Sequence, residues 1–193
     1  MSESDTGLRT RLVDVGVALV AAEGAQALTL REIARRAGVS HGAPRRYFPT
    51  HLELLSAIAR RGFDALADRA GTVLGDHTAQ PRAQLTALAD GYLRFALDNP
   101  GMYELMFRHD LLESGHLGLR ETSLPLFGLL TDLVGRVRPD ADASLVAGAL
   151  WANLHGIAQL WAWGSLRLAT GAQDFAPLLR SALDAHLGPE GAR

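Results

Sequence analysis

Cysteine and lysine are both absent from this chain, and each absence removes a class of chemistry. Without cysteine there is no disulfide, no zinc–thiolate centre and no thiol nucleophile. Without lysine there is no Schiff base, no lysine general base and no P-loop lysine, and all 19 basic residues are arginine. Long apolar runs are missing too: nothing approaches the roughly 18 consecutive apolar residues of a membrane span, so no membrane partner is expected. The run LVDVGVALVAA behind Arg9 and Arg11, followed by AQA at 25–27, imitates a secretion signal, but Asp14 interrupts it and the preceding MSESD is acidic. The expected location is the cytoplasm. There is no G-x-S-x-G, H-E-x-x-H or glycine-rich nucleotide loop, and no cofactor is expected.

What is there is a chain of 193 residues, 48% hydrophobic and 21% charged, a globular composition whose many Ala and Leu favour helix. The charge is unevenly placed. Residues 1–61 carry a net +3 and residues 62–193 a net −5, an asymmetry that points to a polyanionic partner for the N-terminal part alone.

Helical spacing recurs along the whole chain. Leu8, Leu12, Val15, Leu19 and Ala22 predict a helix over 8–23 that ends at Gly24. TLRE at 29–32 reads as a capping box, Thr29 taking the Glu32 amide and the Glu32 carboxylate reaching back, with Leu30, Ile33, Ala34 and Ala37 as the core face. Gly38 supplies a left-handed C′ residue and Ser40 caps a following short helix. Leu55, Ile58, Ala59, Phe63, Leu66 and Ala70 define a longer helix over 51–74. Leu85, Leu88, Tyr92 and Phe95 form the next stripe, stopped by NPG at 99–101, where Asn99 caps a helix beginning at Pro100. Further helices are expected near 117–138, with Pro125 as a kink or restart, from Asp142 to Gly164, and over 175–187 with Pro177 in the first turn. The fold class is therefore all-α, about nine helices, with no strand.

Two helices meeting at Gly38 make a helix-turn-helix, whose second helix enters the major groove in DNA-binding proteins. The segment AGVSHGAPRRYF at 37–48 suits that use. Gly42 and Ala43 keep the leading edge small, Pro44 fits a first turn, Arg45 and Arg46 aim guanidinium forks at phosphate or guanine, the Tyr47 hydroxyl reaches a phosphate, and Phe48 anchors the helix. The same pattern also suits an ordinary helical hairpin with solvated arginines.

The run TLREIARRAGVSHGAPRRYFPTHLELL at 29–55 resembles the DNA-binding region of the TetR family of bacterial repressors, and the resemblance extends over residues 8–60. YLRFALDNPGMYELMF at 92–107 and WANLHG at 151–156 resemble the subgroup with a WHG-type ligand domain. The resemblance implies a helix-turn-helix domain at 1–50 and a helical ligand-binding and dimerisation bundle at 51–193. It further implies a homodimer, a double-stranded DNA operator and an unidentified small-molecule effector. DNA contact falls to Thr29, Arg31, Ser40, His41, Gly42, Ala43, Pro44, Arg45, Arg46, Tyr47 and His51. The chain departs from the family pattern in having Arg45 and Arg46 for a Tyr and a small or polar residue, Tyr47 where His is frequent, and His51 for a phosphate-binding lysine.

In the larger part, Trp151 and His155 stand at i and i+4 and, with Tyr92, Phe95, Tyr103, Met106, Phe107 and Phe127, are the candidate lining of an apolar effector pocket with a few polar handles; the same residues would equally serve as core. The helix at 142–164 is apolar almost all round, as an interior or dimer helix would be. His109, Glu113 and His116 share a face only if the helix runs on past Gly115, and no metal site is expected. The expected function is a ligand-responsive transcriptional regulator, a repressor released from a palindromic operator by a small apolar or amphipathic molecule, and not an enzyme. Two alternatives stand beside it: a helical enzyme using His155 or the 109–116 cluster, and a ligand-binding protein that no longer binds DNA.

Overall fold

The structure is a computed structural model that describes residues 3–75 and 78–189. Every regular element among the described residues is helical, in agreement with the all-α expectation. The order is α1 (Glu3–Glu23), a 3-10 turn (Ala25–Ala27), α2 (Leu30–Arg36), α3 (Pro44–Tyr47), α4 (His51–Leu74), α5 (Pro81–Asp98), α6 (Pro100–Met106), α7 (His109–Glu113), α8 (Leu119–Val137), α9 (Ala143–Ala162), α10 (Ser165–Thr170) and α11 (Ala176–Leu187). Spacing and capping signals predicted all of these except the 3-10 turn, α7 and α10, which are too short for a periodic pattern to emerge. Pro125 lies in the second turn of α8, where it removes one intrahelical bond, and the helix runs through it without restarting. The condition for His109, Glu113 and His116 to share a helix face is not met: α7 ends at Glu113 and Gly115 turns left-handed at φ +73°, and His109 pairs with Glu113.

The chain forms two compact units. The first comprises the residues up to Ala65 together with Asn99–Thr122, and the second Leu66–Asp98 together with the residues from Ser123 onward; α4 supplies residues to both.

In the first unit α1 packs on α2, α3 and α6. Its buried stripe is Leu12, Val13, Gly16, Leu19 and Val20, rotated from the predicted one, with Leu8 and Val15 half-buried and Ala22 exposed. Gly16 explains the rotation: a Cβ there would stand 2.3 Å from Ile58 Cδ1, so only glycine lets the α4 side chain seat against α1. Ile33, Leu54, Leu55 and Ile58 are fully buried beside it, and Phe48 is 1% exposed. Burying a phenylalanine contributes about 1.5–3 kcal/mol, which is a large anchor for a helix of only four residues. Gly62 is a second close approach, where a Cβ would stand 2.5 Å from Met106 Sδ.

The second unit is a bundle in which α9 packs on α5, α10 and α11, and α11 on α5. Asp142 caps α9 by accepting from the amides of Ser144 and Leu145 at 3.0 and 3.1 Å. Leu85, Leu93, Val134, Ala147 and Leu150 are fully buried. The α9 helix is not buried all round: Leu145, Trp151 and Leu160 are 72%, 41% and 39% exposed, and Trp163 beyond its end is 72% exposed.

Candidate functional site

The helix-turn-helix is built by backbone chemistry that starts at Thr29. Its hydroxyl accepts from the Glu32 amide at 3.1 Å, half of the predicted capping box. The other half is absent, because the Glu32 carboxylate turns to Arg35 and Arg36 at 2.6 Å, while the Thr29 amide donates to the Ala27 carbonyl. At the far end of α2, Gly38 adopts φ +67°. The Gly38 amide then reaches the Arg35 carbonyl at 3.2 Å and the Val39 amide reaches the Ala34 carbonyl at 3.0 Å, the paired bonds of a Schellman stop.

Ser40 plays a different part from the one predicted. Its carbonyl, not its hydroxyl, holds the turn by accepting from the Ala43 amide at 3.0 Å, and α3 begins four residues later at Pro44 with no side-chain cap. A turn over 41–43 intervenes, so the serine hydroxyl is left exposed on the turn. His41 and Gly42 are exposed with it, and nothing stands within 4 Å of the place a Gly42 Cβ would occupy. Pro44 is buried and Ala43 and Tyr47 half-buried, whereas Arg45 and Arg46 are exposed.

Charge separates the arginines of this element into two groups. Arg35 and Arg36 are engaged by Glu32, and Arg36 also by Glu23. The guanidinium groups of Arg35 and then Arg36 hold the Glu32 carboxyl down to about 2. Arg31, Arg45 and Arg46 are exposed and have no carboxylate partner among the described residues. Their charge is therefore uncompensated and available to an external anion. His51, at the start of α4, is 2.6 Å from the Leu28 carbonyl through Nε2, so the ring donates there and only its other nitrogen faces outward chemistry.

Two features of this element escape a reading by spacing. Thr50 caps α4, accepting from the Glu53 amide at 3.1 Å; the T-x-x-E signature at 50–53 marks it. Arg9 lies 4.9 Å above the Phe48 ring, a contact between residues far apart in sequence that no local signal announces.

The eight candidate effector residues fall into both units. In the second unit, Tyr92 Oη and His155 Nδ1 are 3.1 Å apart, and the Trp151 ring lies edge-on to both Phe127 and His155, with centroids 6.2 Å apart in each case. Burial pushes the His155 imidazole below its ordinary range, so it is neutral at pH 7 and offers one donor and one acceptor. Phe95 is buried, with the Arg69 guanidinium 5.5 Å from its centroid. Tyr103, Met106 and Phe107 belong to the first unit. There Met106 is fully buried against Gly62, and Phe107 meets Phe63 and Tyr103 edge-on at 5.9 and 4.9 Å. The structure thus brings together Tyr92, Phe127, Trp151 and His155, a small aromatic cluster in which Tyr92 Oη and His155 Nδ1 meet at hydrogen-bond distance.

Comparison with known proteins agrees with both halves. Residues 12–58 match the profile described as bacterial regulatory proteins, tetR family, and residues 85–186 the profile described as tetracyclin repressor-like, C-terminal domain. The chain is 31% identical over 166 residues to the HTH-type transcriptional regulator BetI of Serratia proteamaculans, covering 82% of this chain and 81% of that protein. It is 33% identical over 110 residues to the HTH-type transcriptional repressor KstR of Mycolicibacterium smegmatis, where the match spans 55% of this chain and only 52% of the relative's length. The solved structure of RolR in complex with resorcinol superposes with a TM-score of 0.70 at 20% identity, covering all of this chain and 93% of that one, a likeness of fold. No described helix is long and apolar enough to cross a membrane. With a helix-turn-helix whose stop, turn and exposed arginines are all in place, and family matches over residues 12–58 and 85–186, the chain belongs to the TetR family of bacterial regulatory proteins.

Proposed function

We propose that this chain is a ligand-responsive DNA-binding regulator, a repressor that acts as a cytoplasmic homodimer on a palindromic operator and leaves it when a small apolar or amphipathic molecule binds. The observation that carries the reading is the contrast within one element: Arg35 and Arg36 are paired with Glu32, and Arg36 also with Glu23, whereas Arg31, Arg45 and Arg46 are exposed without a carboxylate partner among the described residues. Arginine forks of that kind bind phosphate and guanine edges. Simple helix-turn-helix dimers place their two heads about 34–36 Å apart, one turn of DNA. Leu145 and Leu160, exposed on neighbouring faces of α9, are the apolar positions this reading assigns to the two-fold dimer surface.

The effector site in this reading is the cluster around Tyr92 and His155, where apolar rings surround two polar handles. A ligand there shifts operator affinity only by its differential affinity for the two states, about 1–3 kcal/mol in typical coupled systems. RolR is a case of this fold holding a small phenolic molecule. The test is a mobility-shift titration with the DNA upstream of the protein's own gene. Saturable binding that competes against non-specific DNA is expected; affinity indistinguishable from that for random duplex refutes the operator reading.

A further inference from the structure

One cleft lies outside the Tyr92 and His155 cluster and borders the helix-turn-helix, with Tyr47 of α3 in its wall. It has a volume of about 370 Å³ and is lined within the first unit by Arg9 and Val13 of α1, Phe48 behind α3, and Ala57, Arg60 and Arg61 of α4. That volume is in the range of small-molecule pockets. Its walls are mixed: Val13, Phe48 and Ala57 are apolar, and three guanidinium groups stand around them.

Those three groups are fixed by different partners, and the partners decide how much charge is left. Arg60 donates through Nε to the Leu117 carbonyl at 2.7 Å and through Nη2 to the His116 carbonyl at 2.6 Å. Carbonyls orient a guanidinium without neutralising it. Glu121 comes near Arg60 beside Gly118 but forms no part of the wall. Arg9 lies over the Phe48 ring at 4.9 Å, again an orienting contact that brings no full negative charge. Arg61 alone of the three is paired with a carboxylate, Asp14, at 3.0 Å. Glu53 is the one acid in the wall itself. Within the wall and its ion pairs, three cations therefore face two anions, and Arg9 and Arg60 are held in place before any ligand arrives. Prepositioned forks of this kind match carboxylate and phosphate oxygens bidentately, and the apolar wall beside them suits a hydrocarbon body.

We propose that this cleft binds a small organic oxyanion, a carboxylate or phosphate monoester on a short apolar body, at a site distinct from the Tyr92 and His155 cluster. Duplex DNA is a poorer occupant. Tyr47 of α3 lines the near end of the cleft, but Arg60 and Arg61 stand nine and ten residues along α4 from His51, about 14–15 Å at helical rise, away from the end of the helix next to α3.

Phenyl phosphate is the probe, titrated calorimetrically into the full-length protein at fixed ionic strength, with inorganic phosphate and phenol as the arms that carry the anion or the body alone. Phenyl phosphate is expected to bind saturably, each half-probe about ten-fold more weakly. Arg9→Gln, an exposed position that stacks on a ring, and Ala57→Leu, which fills the cleft, are each expected to weaken phenyl phosphate about ten-fold or more while leaving the melting curve in place. His155→Phe is expected to leave it unchanged. Absence of binding up to about 10 mM, or binding that survives both Arg9→Gln and Ala57→Leu, overturns the proposal. So does binding abolished by His155→Phe, which moves the probe to the other unit. Loss of DNA affinity in Arg9→Gln with no phenyl phosphate binding to the unsubstituted protein assigns the cleft to duplex phosphates and overturns it equally.

Discussion

At the scale of single residues, counter-charge decides what each ionisable group does. Glu32 takes two guanidinium groups on one carboxylate, and its carboxyl is held near 2 instead of the ordinary 4.5. A depressed carboxyl stabilises the folded state above its unfolded range and loses that contribution as pH falls from about 4.5 towards 2. Solvent screening keeps the effect small, so Glu32→Gln is expected to lower the melting temperature slightly at pH 7 and to flatten its decline across that acid window in thermal scans. His155 runs on the opposite chemistry: burial holds its imidazole below 6.5. The unfolded chain then binds the proton more readily, so stability is lost as pH falls below the ordinary imidazole range. His155→Phe is expected to remove that part of the pH dependence, measured by melts between neutral and mildly acidic buffer. The exposed arginines were legible in the sequence, since no acid stands at a helical interval from Arg45 or Arg46 within α3. The His51 bond to the Leu28 carbonyl was not, because it closes over 23 positions and depends on how α4 enters the unit.

At the scale of elements, glycine positions separate backbone strain from crowding. Gly38 stands at φ +67° with nothing within 4 Å of the place a methyl would take, so Gly38→Ala meets strain alone, about 1–2 kcal/mol for a left-handed L-residue. Gly101 is the converse: a Cβ would lie 2.7 Å from the Val20 carbonyl oxygen and 3.0 Å from Gly24 Cα, both backbone. Gly101→Ala must part α6 from α1, at about 1–3 kcal/mol for overpacking. Gly42→Ala, with open space and no positive φ, is expected to be close to neutral. Denaturant melts of the three variants check the ranking. Spacing and punctuation located the long helices well, because i, i+3 and i+4 apolar repeats and residues such as Gly38 and Asp142 are local signals; Asn99 stands at the start of α6 as expected, but its side chain forms no capping bond. Which face points inward was read less well. On α1 the buried stripe shifted towards Val13, Gly16 and Val20 because Ile58 fits over Gly16, a fact about a partner helix. The Ser40 cap failed for a related reason, the turn at 41–43 being invisible to a pattern that expects helix to follow cap directly.

At the scale of the whole molecule, the proposed homodimer is tested at Leu145 and Leu160, the exposed leucines of α9. Leu145→Glu combined with Leu160→Glu is expected to yield monomers in sedimentation equilibrium and to weaken operator binding, since each head alone loses its tethered second half-site. The fold class was accessible from the sequence because helical periodicity and turn chemistry agree along the chain. The aromatic cluster proposed for the effector was only partly accessible: Trp151 and His155 are neighbours on one helix, but Tyr92 and Phe127 join them by packing, while Tyr103, Met106 and Phe107 belong to the other unit. The central claim, that the uncompensated guanidinium groups of α3 engage duplex DNA, is tested most directly by the salt dependence of binding. In fluorescence anisotropy with the upstream duplex, Arg45→Ala with Arg46→Ala is expected to weaken binding and to reduce the log–log salt slope by about 0.9 for every phosphate no longer neutralised. An affinity and a slope equal to those of the unsubstituted protein would contradict it.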